Sequence, residues 1–333
     1  MSKRIIAQDE EIVIGVDVSD RTHHLAVVNM RGEILKDAAI KAPACEAWEM
    51  FLASRLPGCR VRVIYEAGPQ GYTLYDAVRK MGHAAVVVAP VKALGIKTNR
   101  RDARTIAHDY LAGRYKAVTV PTFEKRIHRQ VLRQRNQIQK EIKRTSNRIN
   151  AMKRFHGITG SMVSSRKDGS GYLDFCIRRQ SGILDFLRAQ RAELDAALSV
   201  IALESEYRAD VEKLTRITGI GTLSALEIVL DVADVRTFGS AEKFASYTGL
   251  CPGEWSTGEK RRMGHITRRG PGKLRGTLVQ CAWTAVRYDP EEKKRFQQLS
   301  ARIGKKKAIV AIARRLAERA WCALNPREEE KAA

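Results

Sequence analysis

The sequence predicts an α/β domain at the N-terminal end, then two long helices, then a mostly helical C-terminal domain. Three strand-like runs, "IVIGVDV", "HHLAVVNM" and "GEILKDAAI", precede an alternation of helix and strand, which is typical of an α/β layer domain. Residues 123–155 repeat apolar side chains at helical spacing, and helical segments dominate after residue 213. We therefore expect domains over residues 1–120, 121–212 and 213–333.

The elements of the first domain can be taken in order. The three opening runs are separated only by short polar segments, so they predict an antiparallel meander. "RVRVIYEAG" and "AAVVVAP" read as two further strands. "AWEMFLASRL", "GYTLYDAVRKMG" and "DARTIAHDYLAG" predict helices, the last of them ending at a glycine.

Two long helices are predicted for the middle of the chain. In residues 123–155 the positions between the apolar residues are mostly Arg, Lys, Gln and Asn, so the helix is amphipathic. A polar segment interrupts it, and a second helical stretch spans about 174–212. The pair predicts an antiparallel hairpin or a coiled-coil arm used for oligomerisation or nucleic-acid contact, with a bundle internal to one subunit as the alternative. The apolar positions are Ile127, Val131, Ile138, Ile142, Ile149 and Met152, then Leu187, Leu194, Leu198 and Ile201.

The third domain begins with "KLTRITGIGTLSALEIVLDV", a helix, a glycine turn and a second helix. This arrangement resembles a helix-hairpin-helix unit, in which Gly219 and Gly221 would expose backbone N–H groups to a phosphate. The alternative is a compact turn that needs glycine only for its backbone conformation. Two later segments, "KLRGTLVQCAWTAVRYD" and "KKKAIVAIARRLAERAWCAL", predict helices that close the domain.

Composition points to a polyanionic partner. The chain of 333 residues has 60 Lys and Arg against 37 Asp and Glu, a net charge of +23, and the basic residues are spread along it. Nucleic acid is the usual partner of such a chain. No run of about 18 apolar residues and no signal-peptide pattern is present, so we expect a cytoplasmic protein without membrane contact. The six cysteines form no CxxC pair, which argues against a zinc site.

Three acidic residues are candidates for metal binding. Asp17 lies in a buried strand, Glu66 ends another strand, and Asp102 begins the helix after "KTNRR". Clustered carboxylates repel each other unless a cation binds them, and Mg²⁺ (or Mn²⁺) suits oxygen-only ligands around a phosphodiester. Taken singly, Asp17 is better explained as a strand-end acid that caps a turn, and Asp102 as an acid that caps a helix.

A second candidate site lies in "GLCPGEWSTGEKRRMGHITRRG". Ser256 and Thr257 precede Gly258 at the start of a dense basic run. One interpretation is a nucleophile directed at a phosphodiester, and the other is a loop that only binds phosphates. The basic residues expected to contact nucleic acid are Lys260, Arg261, Arg262, Arg268, Arg269 and Lys273.

The motifs "IGVDVSD", "IYEAGPQGY", "KTNRRDARTIA" and "GLCPGEWSTGEKRRMGHITRRG" occur in one order along nearly the whole chain. Together they resemble the IS-one-ten family of insertion-sequence transposases. The resemblance implies a RuvC-like, RNase H-type N-terminal domain with a DEDD metal site, a coiled-coil linker, and a C-terminal domain that holds a serine.

The same resemblance implies a prokaryotic recombinase, acting at the nucleoid, that is guided by a structured noncoding RNA. That RNA pairs with donor and target DNA. The implied assembly is a tetramer made of two dimers, in which acids of one subunit and the serine of another share an active site. The serine would form a covalent 5′-phosphodiester intermediate before strand exchange.

Carried over position by position, Asp17, Glu66 and Asp102 match three acids of the family motif. Where the family usually has a further Asp, three residues before the last acid, this chain has Asn99. Three explanations stay open at this point. The site works with three acids, Asp109 on the same helical face contributes, or the position is an inactivating change.

The nucleophile also stays open between two residues. The family usually has serine directly before glycine, whereas this chain has "STG". Register favours Thr257, and the less hindered primary alcohol favours Ser256. Two other functions compete with a recombinase: a metal-dependent DNA junction nuclease that uses water as nucleophile, and a nucleic-acid-binding protein without catalysis.

Overall fold

The structure is a computed structural model that describes residues 10–41, 45–90, 99–158, 171–232, 234–254 and 263–325. The chain divides into two compact units, unit 1 (Met1–Val120) and unit 2 (Pro121–Ala333).

Unit 1 contains a five-stranded mixed sheet in the order β3-β2-β1-β4-β5. Strand β2 is antiparallel to both β1 and β3, so the predicted meander is confirmed, while β4 is parallel to β1 and to β5. The elements are β1 (Glu11–Asp17), β2 (Thr22–Asn29), β3 (Ile34–Lys41), α1 (Cys45–Arg55), β4 (Arg60–Glu66), α2 (Thr73–Lys80), β5 (Ala84–Val88) and α3 (Asn99–Leu111).

Helices cover both faces of this sheet. The side chains of β1 alternate, so Ile12, Ile14 and Val16 join the cluster that includes residues of α1 and α2. Val13 instead packs with Ala103 of α3. Because both faces are covered, the central strands are apolar on both sides, which explains their continuous β-branched runs.

Unit 2 begins with an antiparallel pair of long helices, α4 (Phe123–Phe155) and α5 (Gly171–Ile201). The hydroxyl of Thr122 caps α4 by accepting a hydrogen bond from the backbone of Lys125. The hairpin seam is a small apolar cluster of Ile142, Ile149, Ile177 and Leu184.

The predicted end of the second long helix was wrong. Helix α5 ends at Ile201 rather than near residue 212, because residues 202–207 form a turn that buries Tyr207. A separate helix, α6 (Arg208–Thr215), then begins.

The rest of unit 2 is helical around one large core. The base of the hairpin belongs to this core through Leu132 and Leu198, which are 2% and 1% exposed. A two-stranded ribbon, β6 and β7, and helix α10 were not predicted. The elements after α6 are α7 (Thr222–Asp231), α8 (Ala241–Tyr247), β6 (Pro252–Glu254), β7 (Met263–Ile266), α9 (Gly272–Tyr288), α10 (Pro290–Ile303) and α11 (Lys305–Leu324).

Within the described ranges, no helix combines the length and the apolar character needed to cross a membrane.

Candidate active site

Two of the predicted acids end neighbouring parallel strands. The last registered pair of β1 and β4 is Val16 with Tyr65, so Asp17 and Glu66 follow one residue later on strands spaced about 4.8 Å apart. Both lie an even number of residues from positions that pack on α3, Val13 in β1 and Ile64 in β4. The period of two therefore places Asp17 and Glu66 on the α3 face of the sheet.

The third acid, Asp102, lies in the first turn of α3. Gly15 of β1 allows the backbone of α3 to approach closely. A Cβ added to Gly15 would overlap the carbonyl oxygen of Ala103 and would lie 2.6 Å from the backbone nitrogen of Ala107. The helix therefore contacts β1 two residues before Asp17, at the residue that follows Asp102.

The direction of α3 brings its first turn towards the acidic strand ends. Near the C-terminal end of α3, the hydroxyl of Tyr110 accepts a hydrogen bond of 3.1 Å from Arg62, which pairs with Val13. Asp102, at the other end of the helix, therefore lies towards Asp17 rather than towards the start of β1.

A second contact fixes α3 across the sheet. The guanidinium of Arg104 donates to both carboxylate oxygens of Asp37 on β3, with an Nε–Oδ1 distance of 2.9 Å. Asp37 pairs with Ala26 of β2, and Ala26 pairs with Gly15 of β1, so Asp37 and Gly15 lie at the same position along the strands. Helix α3 is thus held on both sides of its contact with β1.

Tyr115 is a residue of this site that sequence reasoning missed. Its hydroxyl donates a hydrogen bond of 3.0 Å to Oε1 of Glu66. Burial and this carboxylate raise the pKa of Tyr115 well above its usual range, and the charges of Asp109 and Asp102 add to the effect. Tyr115 therefore lies within electrostatic reach of three acids. Nothing in the pattern of "GRYKAV" signals this role, because the contact is long-range.

Asp109, the alternative ligand, already has a partner. Its Oδ1 lies 2.8 Å from the guanidinium of Arg114 in an ion pair. Asn99 begins α3, and its side chain lies outside the described residues.

The acids share a face and an edge of the sheet, but they do not form a closed ligand set. Among the residues described, no three His, Cys, Asp or Glu side chains are close enough together to hold a metal ion. The donors nevertheless match a hard cation in chemistry, since they are all oxygen ligands. Asp17, Glu66 and Asp102 are each partly accessible rather than fully buried, so an ion could reach them.

The predicted nucleophiles belong to a different element, in unit 2. Strands β6 and β7 form an antiparallel ribbon in which Pro252 pairs with Ile266. The segment that joins the two strands, residues 255–262, lies outside the described residues. It contains Ser256, Thr257, Lys260, Arg261 and Arg262.

The base of this ribbon is tightly anchored. A Cβ on Gly249 would lie 2.9 Å from the backbone nitrogen of Arg269, and one on Gly270 would overlap the carbonyl oxygen of Tyr247. Between these contacts Arg268 has a φ of 54°, which is uncommon for a residue other than glycine. Arg268 and Arg269 both remain exposed to solvent. The backbone is therefore constrained just after β7, where the chain carries Arg268 and Arg269, two residues predicted to contact phosphates.

In the predicted helix-hairpin-helix unit, the structure gives a packing reason for the glycine at position 219. This residue has a φ of +100°, and a Cβ there would lie 2.5 Å from the carbonyl oxygen of Cys281 and 2.8 Å from the nitrogen of Ala285. Both atoms belong to α9, so close packing of α9 accounts for this glycine. Gly221 differs, because it precedes α7 with an ordinary φ of −85° and a Cβ there would meet nothing within 4 Å.

Lys273 lies beside a protein carboxylate. Its Nζ is 3.7 Å from Oε1 of Glu227, which is only 4% exposed. Burial raises the pKa of Glu227, and the charge of Lys273 opposes that rise. Lys273 therefore balances the charge of Glu227 inside unit 2. Its side chain is also half exposed, so it remains accessible to a phosphate.

Comparison with known proteins identifies the class. Residues 14–154 match the model of the DEDD transposases of the IS110 type, and residues 211–297 match the model described as "Transposase IS116/IS110/IS902 family". The chain is 29% identical to the putative transposase y4qE of Sinorhizobium fredii over 96% of this chain and 90% of the relative. It is 25% identical to the transposase for insertion sequence element IS1111A of Coxiella burnetii, over 95% and 90%. It is also 25% identical to the transposase for insertion sequence element IS1328 of Yersinia enterocolitica, over 81% and 82%.

Residues 14–154, from β1 through nearly all of α4, therefore belong to a DEDD transposase domain, which implies an RNase H-like fold and agrees with the mixed sheet of unit 1. The chain belongs to the IS110 family of insertion-sequence transposases, as its motifs predicted, and is a DNA transposase. Domains of the DEDD type generally use divalent metal ions.

Proposed function

We propose that this transposase cleaves and exchanges DNA strands with acids from unit 1 and a hydroxyl nucleophile from the segment 255–262, under the guidance of a structured noncoding RNA. One observation carries the proposal. Asp17 and Glu66 end adjacent parallel strands on the face covered by α3, and the first turn of α3 brings Asp102 to the same edge. The cost of gathering these carboxylates is offset when they bind a cation beside DNA.

Asp17, Glu66 and Asp102 would hold the metal, Mg²⁺ or Mn²⁺, and Asn99 would add an uncharged amide oxygen. When bound, the ion would supply Lewis-acid stabilisation of the charge that develops on the scissile phosphate. Tyr115 supports this assignment, because its hydrogen bond fixes one oxygen of Glu66 and leaves the other for a ligand. We assign Tyr115 a positioning role.

The nucleophile would be the hydroxyl of Ser256, with Thr257 as the alternative. The hydroxyl releases its proton as its oxygen forms a bond to the phosphorus, while the bond from phosphorus to the 3′ oxygen breaks. The DNA 5′ end then stays on the protein, and the 3′ oxygen leaves as a hydroxyl after taking up a proton. Because the phosphoester is conserved, strands can be rejoined without an external energy source.

The basic residues around this segment would bind the phosphates that flank the cleavage point: Lys260, Arg261, Arg262, Arg268 and Arg269. The constrained, exposed backbone at Arg268 supports the assignment, because strain of this kind concentrates at functional sites. Gly221 is the better candidate for a backbone contact in the α6–α7 turn, since it faces open space.

RNA guidance and self-association complete the proposal. The net charge of +23 comes from basic residues spread along the whole chain, which supports contact with more than one nucleic acid. For self-association, helix α5 carries a row of apolar side chains that are exposed in the single chain. We assign this row to contact with a second copy in a dimer, and in a tetramer made of two dimers. The row consists of Tyr172, Phe175, Ile183 and Phe186, between 48% and 85% exposed.

The test is a strand-exchange assay with the full chain, purified together with the RNA expressed from its flanking DNA. We expect one discrete RNA to copurify, and Asp17→Asn and Asp102→Asn each to abolish cleavage. A variant with both Ser256→Ala and Thr257→Ala should also lose cleavage. Full cleavage by that double variant would instead identify a junction nuclease that uses water. Recovery of only heterogeneous cellular RNA would contradict the proposal that an RNA guides the protein. The proposed roles of the acids in cleavage would still be tested by the Asp17→Asn and Asp102→Asn variants.

A further inference from the structure

Helix α4 presents to solvent a row of residues that is polar except for Ala151. The row, called the outer row here, advances by alternating steps of four and three residues, so its members lie on one face of the helix. Every member is exposed. The outer row consists of Arg133, Gln137, Lys140, Arg144, Asn147, Ala151 and Arg154.

This face points away from α5. The opposite side of α4 packs in the hairpin, where Ile142, Thr145 and Ile149 are buried. These residues follow the same spacing with an offset of about half a turn from the outer row. The outer row is therefore not the seam of the hairpin.

The charge of the hairpin is concentrated on α4. Helix α4 has eleven Lys and Arg but only two Glu, whereas α5 has four Arg and four Asp or Glu. Charge on α5 is compensated locally, as in the ion pairs of Arg178 with Asp174 and of Arg188 with Asp185.

The outer row is compensated much less. Of its four basic residues, Arg144 forms an ion pair with Glu141. Arg133 lies at the base of the hairpin near Asp231, where burial raises the pKa of the carboxyl and the charge of Arg133 opposes that rise. In the part of the chain that the structure describes, Lys140 and its neighbour Lys143 have no carboxylate within ion-pair distance. The row itself contains no acid.

We infer that the outer row of α4 binds the sugar-phosphate backbone of double-stranded DNA. Its guanidinium and ammonium groups neutralise phosphates, and the amides of Gln137 and Asn147 donate hydrogen bonds to phosphate oxygens without adding charge. From Arg133 to Arg154 the helix rises about 32 Å, which matches about nine nucleotides of one strand.

DNA is the partner that a transposase must hold, and a second α4 would be repelled by like charge. The inference goes beyond the proposed chemistry, because binding of DNA by the outer row does not depend on the metal-binding acids or on the nucleophilic hydroxyl.

The experiment compares two double variants of the full chain that remove the same charge from the same hairpin. The test variant is Lys140→Gln and Arg144→Gln. The control variant changes two exposed arginines of α5, namely Arg178→Gln and Arg188→Gln, which lie off the apolar row of that helix. Glutamine has nearly the helix propensity of Lys and Arg, so both variants should fold, which circular dichroism checks.

Binding to a labelled duplex of unrelated sequence, about 20 base pairs long, is followed by fluorescence anisotropy in EDTA, so that no cleavage contributes. We expect the slope of log Kd against log salt to fall by about 1.8 in the test variant, about 0.9 for each lost phosphate contact. Between about 50 and 200 mM salt, the wild type should then lose about 12-fold more affinity than the test variant. The control variant should keep the wild-type slope.

Two results would overturn the inference. In the first, the test and control variants change the slope equally, which would indicate a general charge effect. In the second, the test variant binds duplex DNA as the wild type does but loses affinity for a structured RNA of the same length. The face would then belong to RNA.

Discussion

Replacing Gly15 with alanine should separate α3 from the sheet and disturb the acidic site. The added Cβ would lie 2.6 Å from the nitrogen and 2.9 Å from the Cβ of Ala107, and it would overlap the carbonyl oxygen of Ala103. Two of these three atoms are backbone, so no side-chain rotation relieves the overlap. The helix must therefore move away from β1 by about 1 Å to restore ordinary contact distances.

The size of the effect follows from two opposing terms. Overpacking of a tight interior costs about 1–3 kcal/mol, and the upper end applies here because backbone atoms are involved. Replacing glycine in a strand by alanine also stabilises the fold by about 0.5–1 kcal/mol, because alanine restricts the conformations of the unfolded chain. The net loss in the free energy of unfolding of unit 1 is then about 2 kcal/mol.

Hydrogen–deuterium exchange with mass spectrometry measures this loss of stability separately for each segment of the chain. A loss of about 2 kcal/mol corresponds to about 30-fold faster exchange of the protected amides in α3 and β1. Peptides from α9 to α11 should be unchanged. DNA cleavage should fall about 100-fold, because a shift of about 1 Å misplaces Asp102 relative to Asp17.

The matched control is Gly276→Ala, which adds a Cβ within α9 where nothing lies within 4 Å. This variant should be more stable by about 0.5–1 kcal/mol, as expected for an exposed helical glycine, and should keep full activity. The reasoning would be refuted if Gly15→Ala exchanged and cleaved like the wild type.

Three further predictions follow from single contacts. Gly219→Ala should destabilise unit 2 by about 2–4 kcal/mol in urea unfolding, because α9 blocks its Cβ and its φ is +100°. Gly221→Ala should leave stability within about 0.5 kcal/mol, and equal losses in the two variants would contradict the assignment. Tyr115→Phe should keep the fold but raise the Mg²⁺ concentration needed for half-maximal cleavage about tenfold, since Glu66 loses its hydrogen-bond donor; an unchanged metal titration would remove Tyr115 from the site. Burial raises the pKa of Glu227, so the folded chain holds a proton that the unfolded chain has released above about pH 4.5. Wild-type stability should therefore fall as the pH rises above that value, whereas Glu227→Gln should show a flatter profile, and parallel profiles would argue against a raised pKa.

The positions of the three acids in their strands and helix could be predicted from the sequence because the features that place them are local. Asp17 and Glu66 interrupt apolar runs, and Asp102 lies in the first turn of a helix with clear periodicity. That these elements meet at one sheet edge follows from chain topology, in which the ends of parallel strands lie together.

Features that depend on distant parts of the chain were missed. Tyr115 reaches Glu66 across 49 residues, and no local pattern records that contact. The packing of α9 against Gly219 was missed because a sequence cannot distinguish a glycine needed beside a ligand from a glycine needed beside a helix. The β6–β7 ribbon escaped prediction because its strands have only 3 and 4 residues, too few for a period of two.

The most direct test of the central claim is to map the protein–DNA adduct formed during cleavage. The full chain, its copurified RNA and labelled element-end DNA would be incubated with Mg²⁺, denatured and digested, and the modified peptide sequenced by mass spectrometry. We predict a nucleotide attached through phosphate to Ser256 or Thr257, and no adduct in Asp17→Asn. Cleaved DNA with free 5′ phosphates and no modified peptide would contradict the claim and indicate water as the nucleophile.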